Sequence, residues 1–359
     1  MDLRRVRPDR HPAAREPDDR MKGLLGSRRV QAGVSLLLAA GLLAFFLSRV
    51  PLREIGKQIA SVSTPWLLAS IVLSITVMVL RAVRWQWILR PLGRVSFFPA
   101  FRATAIGFAA NTVLPARAGE VLRPAILARE RGLSFSALLA SIVFERILDA
   151  LAQLLFLGLA LAGAPPGGTM GSLSSGRIRG VVAVIAAAAI AVALFAVVWR
   201  EATERFFEIV LRALPTRFRP TARRIFHTFL DGFASLKTPR LLFLVAGGSV
   251  GMWLVINVQI YCVMRAFGLT LPLSAAYVVT TAAVMGLVVP TPGGVGGYHA
   301  AVQFALTNIF RVPVATATGV ALLAHAVSFV PISVIGFALF ATSRWKRERE
   351  GLKKMAHEP

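Results

Sequence analysis

The stretch SIVFERILDALAQLLF (141–156) sets Glu145, Arg146 and Asp149 into an otherwise apolar run. Glu145 and Asp149 are four residues apart, so a helix places them on one face. Charges inside a membrane-length apolar run are costly and usually turn toward protein or water. Two carboxylates on one face can act as acid and base on a substrate, or they can pair with arginines that recognise an anion. Arginines are close in sequence. NTVLPARAGEVLRPAILARE (111–130) carries Arg117 and Arg123, with Asn111, Gly119 and Glu120 among them. The planar guanidinium suits bidentate contact with phosphate, and Glu120 is a partner that can hold an arginine in place. RAVRWQW (81–87) presents Arg81 and Arg84 on neighbouring helical positions. Each stretch also has a plainer reading. The first is then the interfacial turns of a helix that begins near Ser134, the second a solvated loop, and the third a basic anchor with an aromatic belt.

A second stretch, VVPTPGGVGGYHAA (288–301), packs two prolines and four glycines between Pro290 and Gly297. Pro290, Pro292, Gly293, Gly294 and Gly296 must interrupt any helix there. Broken backbone at membrane depth is tolerated only where protein buries it or where it lines a wet cavity. Free N–H groups at the start of the following helix, near Tyr298, favour a negative group such as a phosphate. His299 follows the break and is a lone candidate for proton coupling or substrate contact, while His325 lies in the last apolar run. Asn257 and Gln259 read as hydrogen-bonding glue between helices. Laying 113–127 on 288–302 matches Pro115 with Pro290 and Gly119 with Gly294, a weak internal repeat.

The elements that must position these residues are apolar helices. The chain is 56% hydrophobic with a mean hydropathy of +0.66. Membrane-length runs lie near 30–48, 65–83, 136–162, 180–199, 241–264, 271–289 and 313–342. The expected fold is an all-α polytopic membrane protein with about six to eight transmembrane helices and two re-entrant hairpins in an inverted repeat. The polar stretches are too short for a separate soluble domain. The predicted plan has a basic tail (1–29), one transmembrane domain (30–342) and a basic C-terminal tail (343–359). The domain's halves, about 30–199 and 241–342, are joined by a basic amphipathic segment (200–240).

The formal net charge is +24, from 41 Lys and Arg against 17 acids. Segments 1–29, 81–102, 115–131, 200–240 and 344–354 together hold 33 of the 41 basic residues, whereas 49–64, 163–179 and 265–312 hold seven. That two-sided bias is the positive-inside pattern of a membrane protein rather than a nucleic-acid surface. It puts both termini in the cytoplasm and makes anionic phospholipid head groups the expected partners of the basic side. It also has 97–114 dipping in from the inner face and coming back, or lying in the interface, and 271–312 beginning and ending outside. Cys262 is the one cysteine, so no intramolecular disulfide or cysteine metal cluster is expected. No P-loop, Rossmann fingerprint, H-E-x-x-H or G-x-S-x-G is present, and no cofactor or metal is expected.

RAVRW, NTVLPARAGEVLRPAILARERGLSFSALLASIVFERILDAL and VVPTPGGVGGYHAAV, in that order and spacing, resemble the lysylphosphatidylglycerol synthase transmembrane-region family. This is the flippase-like domain of the multiple peptide resistance factor proteins. The resemblance implies an inner-membrane protein that moves a lipid between leaflets, with two re-entrant elements around the site. By position it carries over Asn111, Pro115, Arg117, Gly119, Glu120, Arg123, Glu145, Arg146, Asp149, Pro290, Pro292, Gly293, Gly294 and Gly296. Two departures stand out. His299 occupies a place where the family commonly has an acid, which points to a different lipid, and the soluble aminoacyl-transferase domain is missing, so lipid aminoacylation is not expected. The alternative is a membrane subunit serving a separate lipid-modifying enzyme or glycosyltransferase, with 200–240 as its docking surface. A third reading, an enzyme on a lipid-linked sugar using Glu145 and Asp149, has no accompanying metal or nucleotide site. A homodimer is compatible with the sequence, which specifies none.

Overall fold

The computed structural model describes residues 52–114, 117–163, 239–289 and 291–355, with isolated helical positions between 37 and 41 and between 180 and 223. Pro115 and Pro290 themselves lie outside the described residues. So do the expected helices 30–48 and 180–199 and the joining segment 200–238, apart from those isolated positions.

The described chain is helical. A short α1 (Leu52–Ala60) precedes α2 (Thr64–Leu89), α3 (Phe97–Val113), α4 (Gly119–Arg131) and α5 (Phe135–Ala162). Then come α6 (Pro239–Ala266), α7 (Leu273–Gly286), a 3₁₀ turn (Pro292–Gly294), α8 (Gly297–Phe304), a π turn (Ala305–Ile309) and α9 (Val314–Met355). Helices α2, α6 and α9 up to Ser343 are long and apolar enough to cross a membrane. Helix α5, at 28 residues, is as long, but carries the three charges of 145–149. Local sequence explains several boundaries. Pro65 sits in the first turn of α2, where its missing N–H costs nothing. Leu114 is extended (φ −86°, ψ 141°), the conformation favoured before a proline, and so ends α3 ahead of Pro115. Gly132 closes α4 in the left-handed region, at φ 67°.

Two corrections to the predicted elements follow. Segment 49–64 contains α1, whose Ile55 is buried, and α1 packs against α9. The last helix does not end at 342 but runs on through the basic tail to Met355, because that tail is built mainly of strong helix formers.

The elements form two like units. Helix α2, the hairpin α3–α4 and α5 repeat as α6, the hairpin α7–α8 and α9. The contacts obey that correspondence: α2 packs on its counterpart α6, α3 packs on α9 as α7 packs on α5, and α4 lies against α5 as α8 lies against α9. The units point in opposite directions. One end of the bundle buries Trp85, Leu89, Val95, Leu127, Leu138 and Val245, where α2 and α4 end and where α5 and α6 begin. The other buries Val263, Ala275, Ala305, Phe310 and Ala317, where α6 and the second hairpin end and where α7 and α9 begin. Hairpin α3–α4 therefore starts from the first end and hairpin α7–α8 from the second. Their tips meet: a Cβ on Gly293 would lie 3.7 Å from the Thr112 carbonyl oxygen, and Ser333 Oγ of α9 donates to Thr112 Oγ1 at 3.5 Å.

Each hairpin is closed by a glycine pair. A Cβ on Gly119 would lie 1.9 Å from the Gly107 carbonyl oxygen, and one on Gly297 would lie 2.3 Å from that of Gly286. By packing role the counterpart of Gly119 is thus Gly297, three residues beyond the Gly294 that the sequence alignment offered. The 3₁₀ turn occupies the extra residues of the second break. We predict that Gly119→Ala lowers the thermal midpoint in detergent, since two backbones must separate by more than an ångström. Gly251→Ala, at an open helical position where nothing lies within 4 Å of the new Cβ, should leave it level or raise it slightly. An equal response in both would contradict the close approach.

Candidate functional site

The charged residues named from sequence converge on one cluster. Helix α2 presents Arg81 and Arg84 one turn apart, α4 presents Glu120 and Arg123, and α5 presents Glu145, Arg146 and Asp149. Glu145 is fully buried. Arg123 Nη1 donates to both of its oxygens at 3.1 Å, Arg146 Nη2 donates to Oε1 at 2.7 Å, and Arg84 Nη2 lies 3.1 Å from Oε1. Asp149 Oδ1 accepts from Arg84 Nη1 at 2.6 Å and from the Trp253 indole at 2.9 Å. Its Oδ2 lies 3.2 Å from Arg146 Nη2 and 3.9 Å from Arg81 Nη1. Ser249 of α6 accepts from Arg84 as well, at 2.9 Å. The Arg123 guanidinium lies over Trp85, 3.8 Å from the ring centroid, and Trp85 in turn donates to Ser141 at 2.9 Å. At the rim Glu120 stands between Arg117 and Arg146, 3.9 Å from each.

Five arginines thus share three carboxylates. Burying a charge is tolerable only when it is paired, and here each carboxylate lies within ion-pair distance of at least two arginines, although Asp149 Oδ2 accepts no hydrogen bond. Nε and Nη1 of the buried Arg81 have no hydrogen-bond acceptor. The carboxylates of α5, which sequence alone allowed as acid and base, are both taken up by guanidinium groups. The electrostatic surplus is positive and located where a cavity opens.

That cavity, about 300 Å³, lies between the hairpin tips and is walled by α2, α5, α6, α7 and α9. Of the residues named from sequence, Arg81, Asn111, Arg117, Glu120, Arg146, Asp149, Gln259, Gly293, Gly294 and Tyr298 line it. Arg84, Arg123 and Glu145 stand behind the wall and hold it. Asn111 Oδ1 accepts from the Gly119 backbone N–H at 2.8 Å, bridging the first break. Gly293 (φ 62°), Gly294 (φ 70°) and Gly296 (φ 90°) take left-handed conformations in the second break, and Pro292 is buried. His299 is not on the cavity surface. Its Nδ1 accepts from the Gly296 N–H at 3.3 Å, and its ring lies 4.6 Å from that of His325. His325 Nε2 lies 2.8 Å from the Gly293 carbonyl oxygen, so this pair braces the second break.

Sequence reading singled out Arg81 beside Arg84 but carried only Arg84 into the site, and did not name Gly107, Gly286, Ser74, Gln153 or Thr280. Two signals were available. Ser74 and Arg81 are seven residues apart on one helical face, and Gln153 follows Asp149 by one turn.

Fold and site together define an all-helical membrane protein in which a buried arginine–carboxylate cluster borders a cavity between two opposed hairpins. The chain belongs to the lysylphosphatidylglycerol synthase TM region family, matching it over residues 33–336. It is similar to the protein named Glycosyltransferase AglD of Haloferax volcanii, with 25% identity over 338 residues, covering 86% of this chain and 54% of the relative. The chain therefore spans about half the length of that curated relative.

The cluster generates a stability prediction. Glu145→Gln removes the carboxylate shared by Arg84, Arg123 and Arg146 and should cost about 3–5 kcal/mol. A large drop of the thermal midpoint in detergent is expected. Adding Arg123→Met should recover part of it by removing one uncompensated charge. An unchanged midpoint in the single variant would mean that Glu145 is not what neutralises these arginines.

Proposed function

We propose that this chain is a flippase-like transporter that moves an anionic phospholipid between the leaflets of the cell's inner membrane. The observation that carries the reading is the incompletely neutralised arginine set facing the cavity between the two hairpins. On this reading the hairpins are re-entrant, one entering from each membrane face, and the basic tails are cytoplasmic as the charge bias suggests. Arg117 and Arg146, the more exposed arginines, meet the lipid phosphate first, and Arg81 receives it deeper in the cavity. Acyl chains stay in the surrounding lipid while the head group crosses between the tips. Glu120, Glu145 and Asp149 keep the arginines aimed and spaced, and no covalent step is required.

A second reading is supported by the relative's name and length. A protein that matches only about half of a longer one named as a glycosyltransferase fits a membrane subunit that presents lipid to a separate glycosyltransferase or lipid-modifying enzyme. Arg81→Gln/Arg146→Gln tests the first reading in liposomes holding fluorescent phosphatidylglycerol, with leaflet exchange followed by external quenching. The wild type should exchange well above empty liposomes, and the double variant at least tenfold more slowly than wild type, with its thermal midpoint measured alongside to exclude unfolding. Exchange at the empty-liposome rate by the wild type, with a stable crosslinked enzyme partner in cells, would favour the subunit instead.

A further inference from the structure

A second pocket lies at the end of the bundle where α7 and α9 begin. Its volume is about 520 Å³, and it sits where α1 leads into α2, where α6 ends and where α9 starts. Its described wall includes Gln58 of α1, Ser61 and Ser63 of the connection, Trp66 of α2, Arg265 of α6 and Thr316 of α9. None of these residues lines the cavity between the hairpin tips. The first residue of α2 to line that cavity is Ser74, eight residues beyond Trp66 and so about 12 Å along the helix. The Ser63 N–H donates to the Ala266 carbonyl oxygen at 2.9 Å and ties two walls of the second pocket together.

Four side chains on this wall have hydrogen-bond donors to spare. The Arg265 guanidinium makes no ion pair and no hydrogen bond with a described residue, and it stands 5.5 Å from the centroid of the Trp66 ring. Its Nε is enclosed, whereas its two Nη groups remain accessible. The Gln58 Oε1 is enclosed too, which leaves Nε2 as the accessible end of that amide. The hydroxyl groups of Ser63 and Thr316 are accessible and bond no described residue, and Ser63 does not cap α2. Ser61 Oγ, by contrast, is already spent on the Gln58 carbonyl oxygen at 3.0 Å. No acid is among the described lining residues, and Glu54, one turn before Gln58, is exposed and stands outside the wall. The C-terminal end of α6 favours a cation, which accounts for an arginine at 265. It does not account for three uncharged donors gathered round that arginine from other elements.

We propose that this pocket binds a phosphate group, with Arg265 as the counter-ion and Gln58, Ser63 and Thr316 as further donors. A guanidinium offers a phosphate two parallel N–H bonds. A phosphate also presents more acceptor oxygens than a carboxylate, so it can receive donors that arrive from several directions. The head group of a lipid in the adjoining leaflet and a free phosphate ion share this chemistry. The assignment does not depend on the transport reading. On the orientation proposed above, the pocket lies at the outer membrane face, opposite the basic tails.

Protection of a single thiol reads this pocket apart from the central cavity. Ser61→Cys puts the thiol on the wall without removing an unspent donor, and Cys262→Ala removes the native one. The full-length protein in maltoside detergent is labelled with a neutral maleimide. Inorganic phosphate is added against chloride at equal ionic strength, and phosphatidylglycerol against diacylglycerol. At least one of the two phosphate probes should slow labelling at least fivefold relative to its control. Slowing by the lipid alone names a head group as the source, and slowing by inorganic phosphate names the free anion. Thr316→Val should weaken the protection several-fold and Arg265→Gln should abolish it, each at an unchanged thermal midpoint, whereas Arg81→Gln/Arg146→Gln should leave it intact. No protection by either probe overturns the assignment, as does protection that survives Arg265→Gln. Protection lost in Arg81→Gln/Arg146→Gln but kept in Arg265→Gln overturns it as well and returns the phosphate to the central cavity.

Discussion

Glu145 is the point on which this molecule turns. It is fully buried, and three guanidinium groups from α2, α4 and α5 itself converge on it. Breaking a buried ion pair is far more costly than an exposed one, because the partner charge is left without solvent. A single carboxylate thereby ties the first hairpin to the two long helices of its own half. Asp149 extends the tie to α6 through Trp253, and its partner Arg84 does so through Ser249. The cluster is nevertheless not electrically closed. Arg81, Arg117 and Arg146 line the cavity, so the element that holds the wall together is also the one that charges it.

The hairpins supply the space. In lipid a helix can be broken only where protein or water takes over the freed backbone groups. Here the tips meet inside the bundle, and the glycine pairs Gly107–Gly119 and Gly286–Gly297 let each hairpin close with its backbones almost touching. The two halves are alike in architecture but not in chemistry. Where the first half places Arg123 of α4 against Glu145 of α5, the second places His299 of α8 beside His325 of α9, and His325 reaches back to the Gly293 carbonyl. One half provides the charged cluster, and the other provides a histidine pair that braces its own break.

Much of this was legible in the sequence. The apolar runs at 65–83, 136–162, 241–264 and 313–342 became α2, α5, α6 and α9, and the proline–glycine breaks separate the arms of the two hairpins. The gathering of Arg84, Arg123, Glu145, Arg146 and Asp149 followed from the cost of leaving charges in apolar surroundings. Arg81 was not legible as a site residue, because an arginine near the end of an apolar helix and beside tryptophans has the composition of an interfacial anchor. Only the approach of α5, more than sixty residues away, makes it a cavity wall. Gly107 and Gly286 look like ordinary helix glycines until their partners across the hairpin are known. His299 could be placed next to the break by sequence but not turned toward or away from the cavity, since that is decided by His325 on another helix.

The central claim is that the arginine surplus between the hairpin tips holds a lipid phosphate inside the bundle. Its most direct measurement is an electron cryomicroscopy structure in nanodiscs containing phosphatidylinositol. The account predicts phosphate density within hydrogen-bonding distance of Arg81 and Arg146, between Thr112 and Gly293. Phosphate density confined to the two bilayer surfaces, with only acyl chains or nothing in the cavity, would contradict it.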